Sequence, residues 1–223
     1  RPDKGSSCTL AVSAKGGNNA ENHNHNDIGS YAVALGKCTM VGDQGGPFSY
    51  PGDYFSAEAP EKYKIKGSFG HPVPVVDGKT QSSGAKASAI VLKKEFTDVK
   101  DLLCIDYTSA YSTPSLDKLV RIFVYDRQGK GSFTVGDEFT ANAPIRFETA
   151  ITTQANWKII DDTHLLLTTG TEQMTVTIEA SGKVAFTSET IEVNSPAYTR
   201  IGISLKEQSK DGYIRLTMRT KQL

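Results

Sequence analysis

The chain has 223 residues, and its 25 Lys and Arg residues balance its 25 Asp and Glu residues, so the formal net charge is zero at pH 7. This balance argues against a nucleic-acid partner and against general attraction to a membrane surface. No apolar run approaches the roughly 18 residues of a membrane-spanning helix, and the first residues are polar. We therefore expect neither a transmembrane helix nor a signal peptide.

The three cysteines, Cys8, Cys38 and Cys104, are widely spaced and odd in number. This argues against a disulfide framework and against a four-cysteine zinc site. We expect all three to be small residues of the hydrophobic core.

The first 87 residues are rich in Gly, Asn, Pro, Asp and His, and they contain only brief strand-like stretches at Thr9–Ala14, Ser30–Leu35 and Lys37–Val41. Long loops on a rigid sheet are a common place for function. We predict one domain over residues 1–223, in which residues 1–87 form a loop-rich functional part and residues 88–223 form the sheet core.

The remaining sequence shows short alternating or apolar runs, rich in β-branched and aromatic residues and separated by turn dipeptides. This pattern predicts an all-β fold, an antiparallel multi-stranded β-sandwich, with no major helix. The predicted strands are Ser88–Leu92, Leu102–Tyr107, Leu119–Asp126, Gly131–Val135, Ile145–Thr152, Trp157–Ile160, His164–Thr168, Met174–Glu179, Val184–Ser188, Ile201–Leu205 and Tyr213–Thr220.

Two of the four histidines, His23 and His25, lie in one short polar run. If that run is extended, the two side chains point to the same face, because side chains alternate with a period of two. Downstream lie Asp43 and His71. Together with His25 they could supply three nitrogen and oxygen ligands and leave a fourth position open, an arrangement that suits zinc.

Each of these residues also has an ordinary structural interpretation. His25 could be a hydrogen-bonded loop histidine, Asp43 a turn residue and His71 a partly buried polar residue, because the spacing forms no compact metal motif. The fourth histidine, His164, lies in an apolar strand run, and we expect it to be structural.

Two polar blocks resemble the heparinase II/III-like family of uronate-polysaccharide lyases. The stretch Lys15–Tyr31, KGGNNAENHNHNDIGSY, looks like the opening signature of the family's β-domain, and Ser68–Gln81, SFGHPVPVVDGKTQ, resembles its later histidine block. A weaker likeness continues through Asp106–Tyr111 and Arg121–Arg127. The resemblance covers at least residues 9–140 and implies a C-terminal β-sandwich of the supersandwich type.

The resemblance also implies roles for individual residues. It assigns a zinc site, structural in function, to His25, Asp43 and His71, and it makes His23 the leading active-site residue. It places a catalytic tyrosine at Tyr54. Tyr50 and Tyr63 are close competitors for that role, and packing at the sheet edge is the alternative for all three tyrosines. The substrate-binding positions that it implies are Asn22, Asn24 and Tyr50.

The family cleaves anionic polysaccharides or oligosaccharides by β-elimination next to uronic acids, and it is generally periplasmic or secreted. Several of its catalytic groups come from an N-terminal α-helical toroid domain, which this sequence does not contain. The resemblance therefore implies that the chain supplies His23 and a tyrosine to an active site whose principal base lies on the helical domain, and that the chain alone is nearly inactive.

Two other functions fit the same residues. The chain could be a non-catalytic carbohydrate-binding or scaffold module that keeps the sheet and the metal. It could also be a metal-dependent hydrolase that uses a metal-bound water, with Glu21 as a candidate general acid. The product distinguishes these functions, because only elimination yields an unsaturated uronate that absorbs in the near ultraviolet.

Overall fold

The structure is a computed structural model that describes residues 7–42, 46–192 and 196–221. Within these ranges the secondary structure is almost entirely antiparallel β, and α1 (Ala59–Lys62) is the one α-helix. Short 3-10 turns occupy Ser68–Gly70 and Thr108–Ala110. These findings confirm the all-β prediction.

The described residues form strands throughout the chain, including its first part. In chain order the strands are β1 (Leu10–Ala14), β2 (Asn18–Asn19), β3 (Tyr31–Leu35), β4 (Cys38–Val41), β5 (Val75–Val76), β6 (Gly84–Ser88), β7 (Ile90–Phe96), β8 (Lys100–Asp106), β9 (Leu116–Asp126), β10 (Ser132–Ile145), β11 (Phe147–Thr153), β12 (Asn156–Asp161), β13 (His164–Thr169), β14 (Glu172–Ala180), β15 (Val184–Ile191), β16 (Tyr198–Leu205) and β17 (Ser209–Thr220).

A sandwich of antiparallel sheets forms the body of the protein. One layer is an eight-stranded sheet in the order β12-β13-β14-β17-β10-β9-β8-β7. A four-stranded sheet, β15-β16-β11-β5, and a three-stranded sheet, β1-β3-β4, share one continuous hydrophobic core with it. Hydrogen bonds join the two smaller sheets side by side, since Gly42 N donates to Thr152 O at 3.0 Å and the Thr153 hydroxyl donates to Met40 O at 2.6 Å.

The N-terminal part contributes directly to this core. Leu10, Tyr31, Val33 and Met40 are buried, with exposed fractions of 2% or less. Alternating burial along β3, with every second residue inside, matches a strand that has one face on a core. Loops and strands of residues 7–42 and 46–87 therefore share a core with the later strands.

Every predicted strand coincides with an observed one, but β10 is much longer than predicted. The prediction ended at Val135, because Gly136, Asp137 and Glu138 break the apolar pattern. The strand continues to Ile145 because Asp137 is buried, at 1% exposure, against a charged partner inside the sandwich. Acidic residues are mostly exposed, so an Asp that is buried and paired looks like a loop residue when only the sequence is considered.

The expectation that all three cysteines are core residues is wrong for one of them. Cys8 is a buried core residue and Cys38 packs against the core, whereas Cys104 is half-buried and lies outside the core cluster. No helix in the described part of the chain is long and apolar enough to cross a membrane.

Candidate functional site

The histidine run from Asn22 to Asp27 is a turn, so the condition for the alternation of His23 and His25, an extended segment, is not met. The backbone reverses where Asn24 N donates to Glu21 O at 3.2 Å, and His23 adopts a left-handed φ of 58°. A non-glycine residue in this region costs roughly 1–2 kcal/mol. The turn leaves His23 exposed, whereas His25 is half-buried.

His25 meets the second histidine of the predicted metal site inside the protein. His25 Nδ1 lies 3.2 Å from His71 Nε2, and His71 is fully buried. His25 Nε2 lies 3.3 Å from the Tyr54 hydroxyl, and His71 Nε2 lies 2.9 Å from Ile65 O. The fold therefore joins two residues that are 46 positions apart in the sequence.

This histidine pair fits the nitrogen part of a zinc site. His25 Nδ1 and His71 Nε2 are imidazole nitrogens of the kind that zinc takes, and they lie close enough together to reach one ion. His71 Nε2 would hold the ion in place of its contact with Ile65 O. The Tyr54 hydroxyl beside the other ring nitrogen of His25 is an outer partner of the kind that orients a metal-binding histidine. Asp43, the expected third ligand, lies outside the described residues, and within those residues no three metal-binding side chains come together.

An open cleft of about 630 Å³ lies next to the histidine pair. The cleft is lined by Asn19, Ala20, Glu21, Asn22, His23, Asn24, Asn26, Phe55, Ser56, Ala57, Pro60, Lys66 and Ser83. The cleft thus brings together three of the site residues predicted from the sequence, His23 and its neighbours Asn22 and Asn24. Asparagine amides both donate and accept hydrogen bonds, which suits a surface that contacts sugar hydroxyls and acidic groups.

Tyr50 and Tyr54, the two tyrosines predicted to be site residues, lie beside the cleft and are not among its lining residues. Tyr54 is 1% exposed, and its ring packs against Tyr50 and Tyr63, with centroids 5.0 and 5.4 Å away. Tyr50 is 56% exposed. Tyr54 therefore packs its ring and presents its hydroxyl to His25, whereas Tyr50 is the tyrosine whose side chain solvent reaches.

Lys66 and Phe55 are cleft residues that the sequence analysis missed. The Lys66 ammonium donates to Tyr54 O and lies over the rings of Tyr54 and Phe55, 5.0 and 4.9 Å from their centroids. Phe55 also contacts the edge of the His23 ring, with centroids 5.2 Å apart. Neither residue belongs to a recognisable motif, so only the fold places them here.

A buried arginine fixes both histidine loops to the sandwich. The Arg121 Nη1 atom donates to Gly29 O at 2.6 Å, just after the first loop, and to Pro72 O at 2.8 Å, just after His71. Its Nε and Nη2 atoms donate to the two oxygens of Asp137, each at 2.7 Å. Arg121 is a positioning residue, because it orders both loops without touching the cleft.

The Arg121 side chain is fully buried, so its charge must be compensated locally. The Tyr107 hydroxyl donates to Asp137 Oδ1 at 2.7 Å, and the Thr149 hydroxyl donates to Asp137 Oδ2 at 2.7 Å. Burial raises the pKa of Tyr107 well above its usual range, so the hydroxyl remains a donor. The sequence showed Arg121 only as part of a weakly resembling strand, without a role.

A second bridge joins the two histidine blocks through Gln81. Its Nε2 donates to Ile28 O at 2.7 Å and its Oε1 accepts from Ile28 N at 3.0 Å, while its backbone N donates to the Ser68 hydroxyl at 2.8 Å. Gln81 is the last residue of the second resembling block, which was the only sequence signal for its position. Lys15 adds an ion pair to the buried Asp27.

Comparison with solved structures identifies the fold. The chain superposes on heparan sulfate lyase HepC from Pedobacter heparinus with a TM-score of 0.76 and 15% identity, covering 96% of this chain and 34% of that one. Two heparinase III structures give TM-scores of 0.72 and 0.70 at 12% and 16% identity, covering 97% and 90% of this chain and 33% and 31% of theirs.

These comparisons confirm the fold of a heparinase III β-domain, consistent with the C-terminal domain that the sequence resemblance indicates. The chain spans about a third of the length of the structures that it matches. No protein-family model matches the sequence. No curated protein matches it either.

Proposed function

We propose that the chain is the β-domain of a polysaccharide lyase that cleaves uronic-acid-containing polysaccharides by β-elimination. The observation that carries this proposal is the cleft, where Asn22, His23 and Asn24 lie together on a heparin-lyase fold. The solved neighbours are a heparan sulfate lyase and heparinases, so a glycosaminoglycan is the first substrate to test.

The reaction requires three groups at one place. A base removes the C5 proton of the uronate, a C4–C5 double bond forms, and the C4–O4 bond breaks while an acid protonates the departing oxygen. The exposed His23 ring can hold or deliver one of these protons, because an imidazole nitrogen can accept or donate a proton. The asparagine amides can donate to the carboxylate as charge spreads onto it.

The remaining groups would come from an N-terminal α-helical toroid domain that faces this cleft. Tyr54 remains the leading candidate for a tyrosine that this chain contributes, and Tyr50 and Tyr63 remain its competitors. The Tyr63 hydroxyl donates to Asp53 Oδ1 at 2.5 Å. Tyr50 has the exposure that contact with a sugar needs, and Tyr54 has the hydroxyl bound to His25. We place such an enzyme in the periplasm or outside the cell, where its polymeric substrate is found.

We further propose that His25 and His71, with Asp43, hold a structural zinc ion. When bound, zinc would supply a fixed link between the loops and no activated water, since elimination consumes none. His25 then anchors the turn two residues beyond His23, and the ordering of that turn sets the position of the His23 ring.

The test is an elimination assay with the chain fused behind the helical domain of a heparan sulfate lyase, with heparan sulfate as substrate. We expect an unsaturated uronate, seen as a rise in near-ultraviolet absorbance, that His23→Ala abolishes and His164→Ala leaves unchanged. Tyr50→Phe and Tyr54→Phe identify the contributing hydroxyl. Saccharide binding without any unsaturated product from a folded fusion would instead make the chain a binding module, and a saturated product would indicate hydrolysis.

A further inference from the structure

Lys66 is a buried cation at the wall of the cleft. Its exposed fraction is 7%, yet it is one of the residues that line the cleft. Among the described residues no carboxylate lies within ion-pair distance of its ammonium group, whose hydrogen bond goes to the Tyr54 carbonyl. It is also the one Lys or Arg side chain among the residues that line the cleft.

This arrangement is costly without an anion. Lysine is seldom buried unless it is paired, because an ammonium group loses hydration that only a charge or several hydrogen bonds replace. The carbonyl and the faces of Tyr54 and Phe55 compensate part of this loss. Burial lowers the pKa of Lys66 from its ordinary value. An anion entering the cleft would complete the compensation.

The ammonium is held in place before any ligand arrives. The Lys66 backbone N donates to Tyr63 O at 2.9 Å, and the Lys66 carbonyl accepts from Asn26 N at 3.0 Å. Two rings flank the Lys66 side chain. A lysine fixed in this way loses little conformational entropy when it binds a ligand, unlike an exposed lysine. The same contact to Asn26 ties Lys66 to the histidine turn.

We propose that Lys66 binds the acidic group of a sugar residue lying in the cleft beside His23. Phe55 contacts both side chains, so a sugar whose acid group meets the Lys66 ammonium has its ring next to the His23 imidazole. The other charged lining group is Glu21, which is exposed and repels anions. The attraction is therefore local to Lys66. This inference rests on the proposed function and gives it a specificity residue.

The experiment measures binding of three tetrasaccharides to the chain by calorimetry. The first is an unsulfated heparosan tetrasaccharide, which carries only carboxylates; the second is its carboxyl-reduced neutral form; the third is an N-sulfated form. The variant is Lys66→Met, which keeps a long apolar stem over the two rings. The matched control is Lys64→Met, which removes an exposed lysine that pairs with Glu189.

We expect Lys66→Met to weaken binding of the unsulfated tetrasaccharide roughly ten- to a hundredfold, the range for losing a hydrogen bond to a charged group. We expect Lys64→Met to bind this ligand as tightly as wild type does. We expect wild type to bind the carboxyl-reduced ligand weakly, with the affinity that Lys66→Met has for the acidic ligand. If only the N-sulfated ligand distinguishes the variants, the acidic group is a sulfate.

Three outcomes overturn the inference in different ways. Equal binding of the acidic ligands by wild type and Lys66→Met, with binding lost in His23→Ala, removes Lys66 and leaves the proposed function standing. If the wild type binds the neutral ligand and both acidic ligands with equal affinity, the inference about Lys66 is likewise overturned and the proposed function stands. This result does not depend on whether a variant folds. No binding of any tetrasaccharide by the wild type overturns the inference, whereas the proposed function fails only if the fusion yields no unsaturated product.

Discussion

At the scale of single residues, the turn from Asn22 to Asp27 leaves His23 exposed and His25 half-buried. The alternation argument assumed an extended run, but His23 has a φ of 58° and the backbone reverses at Asn24. A left-handed residue other than glycine leaves no compositional signal. The resemblance nevertheless named the residues that the fold brings together, since His23 lines the cleft and His25 meets His71.

Lys66 and Gln81 show what the sequence could not reveal. Each is a polar residue without a motif, and its role depends on partners 12 to 53 positions away. Neither hydropathy nor spacing distinguishes a buried lysine over two rings from a solvated one. Their positions follow only when the loops are packed.

The histidine pair gives a direct prediction about metal content. Wild type should hold about one zinc per chain, and His25→Ala, His71→Ala and Asp43→Ala should each lose it, because each removes a ligand of the proposed site. Elemental analysis of purified protein measures this. The matched control is His164→Ala, because His164 bonds to Asp161 at 2.9 Å on another strand and should retain the zinc.

Zinc removal should also loosen the histidine turn, which hydrogen exchange at residues 22–27 would report. A wild type that takes up no zinc when zinc is supplied contradicts the site. Unchanged protection of the turn after chelation contradicts its structural role.

At the scale of elements, the strands were predictable because their apolar residues alternate or cluster between turn signals. Predicted and observed bounds differ mainly where a strand continues through polar residues, as β10 does past Val135. The strand continues there because Asp137 is paired inside the sandwich with Arg121, a residue of the adjacent strand β9. Pairing of this kind is visible only in three dimensions.

The Arg121–Asp137 pair predicts a large and specific loss of stability. Arg121→Met leaves a buried carboxylate unpaired and should lower the free energy of unfolding by about 3–5 kcal/mol. Denaturant unfolding measures this loss. The matched control is Arg215→Met, which breaks an exposed pair with Glu179 and should cost at most about 1 kcal/mol.

Because Arg121 also bonds to Gly29 O and Pro72 O, the same variant should weaken zinc affinity even at temperatures where it is fully folded. Equal destabilisation by Arg121→Met and Arg215→Met would contradict the buried-pair account. Unchanged zinc affinity in the folded Arg121→Met variant would show that the loops keep their positions without this residue.

At the scale of the whole molecule, residues 7–42 and 46–87 contribute to the same hydrophobic core as the later strands. The fold class was readable from the sequence alone, whereas the cleft was not, because its walls come from three separate segments of the chain. The chain covers about a third of the solved lyases that it matches. The proposed elimination would draw its remaining groups from a helical domain over the cleft.

A second cavity offers a real alternative location for a ligand. It measures about 500 Å³ and lies at another end of the sandwich, where its lining includes Lys183, Lys206 and Tyr213. A saccharide-binding module without catalysis could use such a surface. The two cavities share no residue, so a binding map separates them.

The most direct test of the account is therefore a titration of the isotope-labelled chain with the unsulfated uronate tetrasaccharide, followed by nuclear magnetic resonance. We predict saturable shifts at Asn22, His23, Asn24 and Lys66, with none at Tyr213. Shifts confined to the Tyr213 cavity, or no saturable shift anywhere, would contradict the claim that this cleft is the substrate side of a polysaccharide lyase.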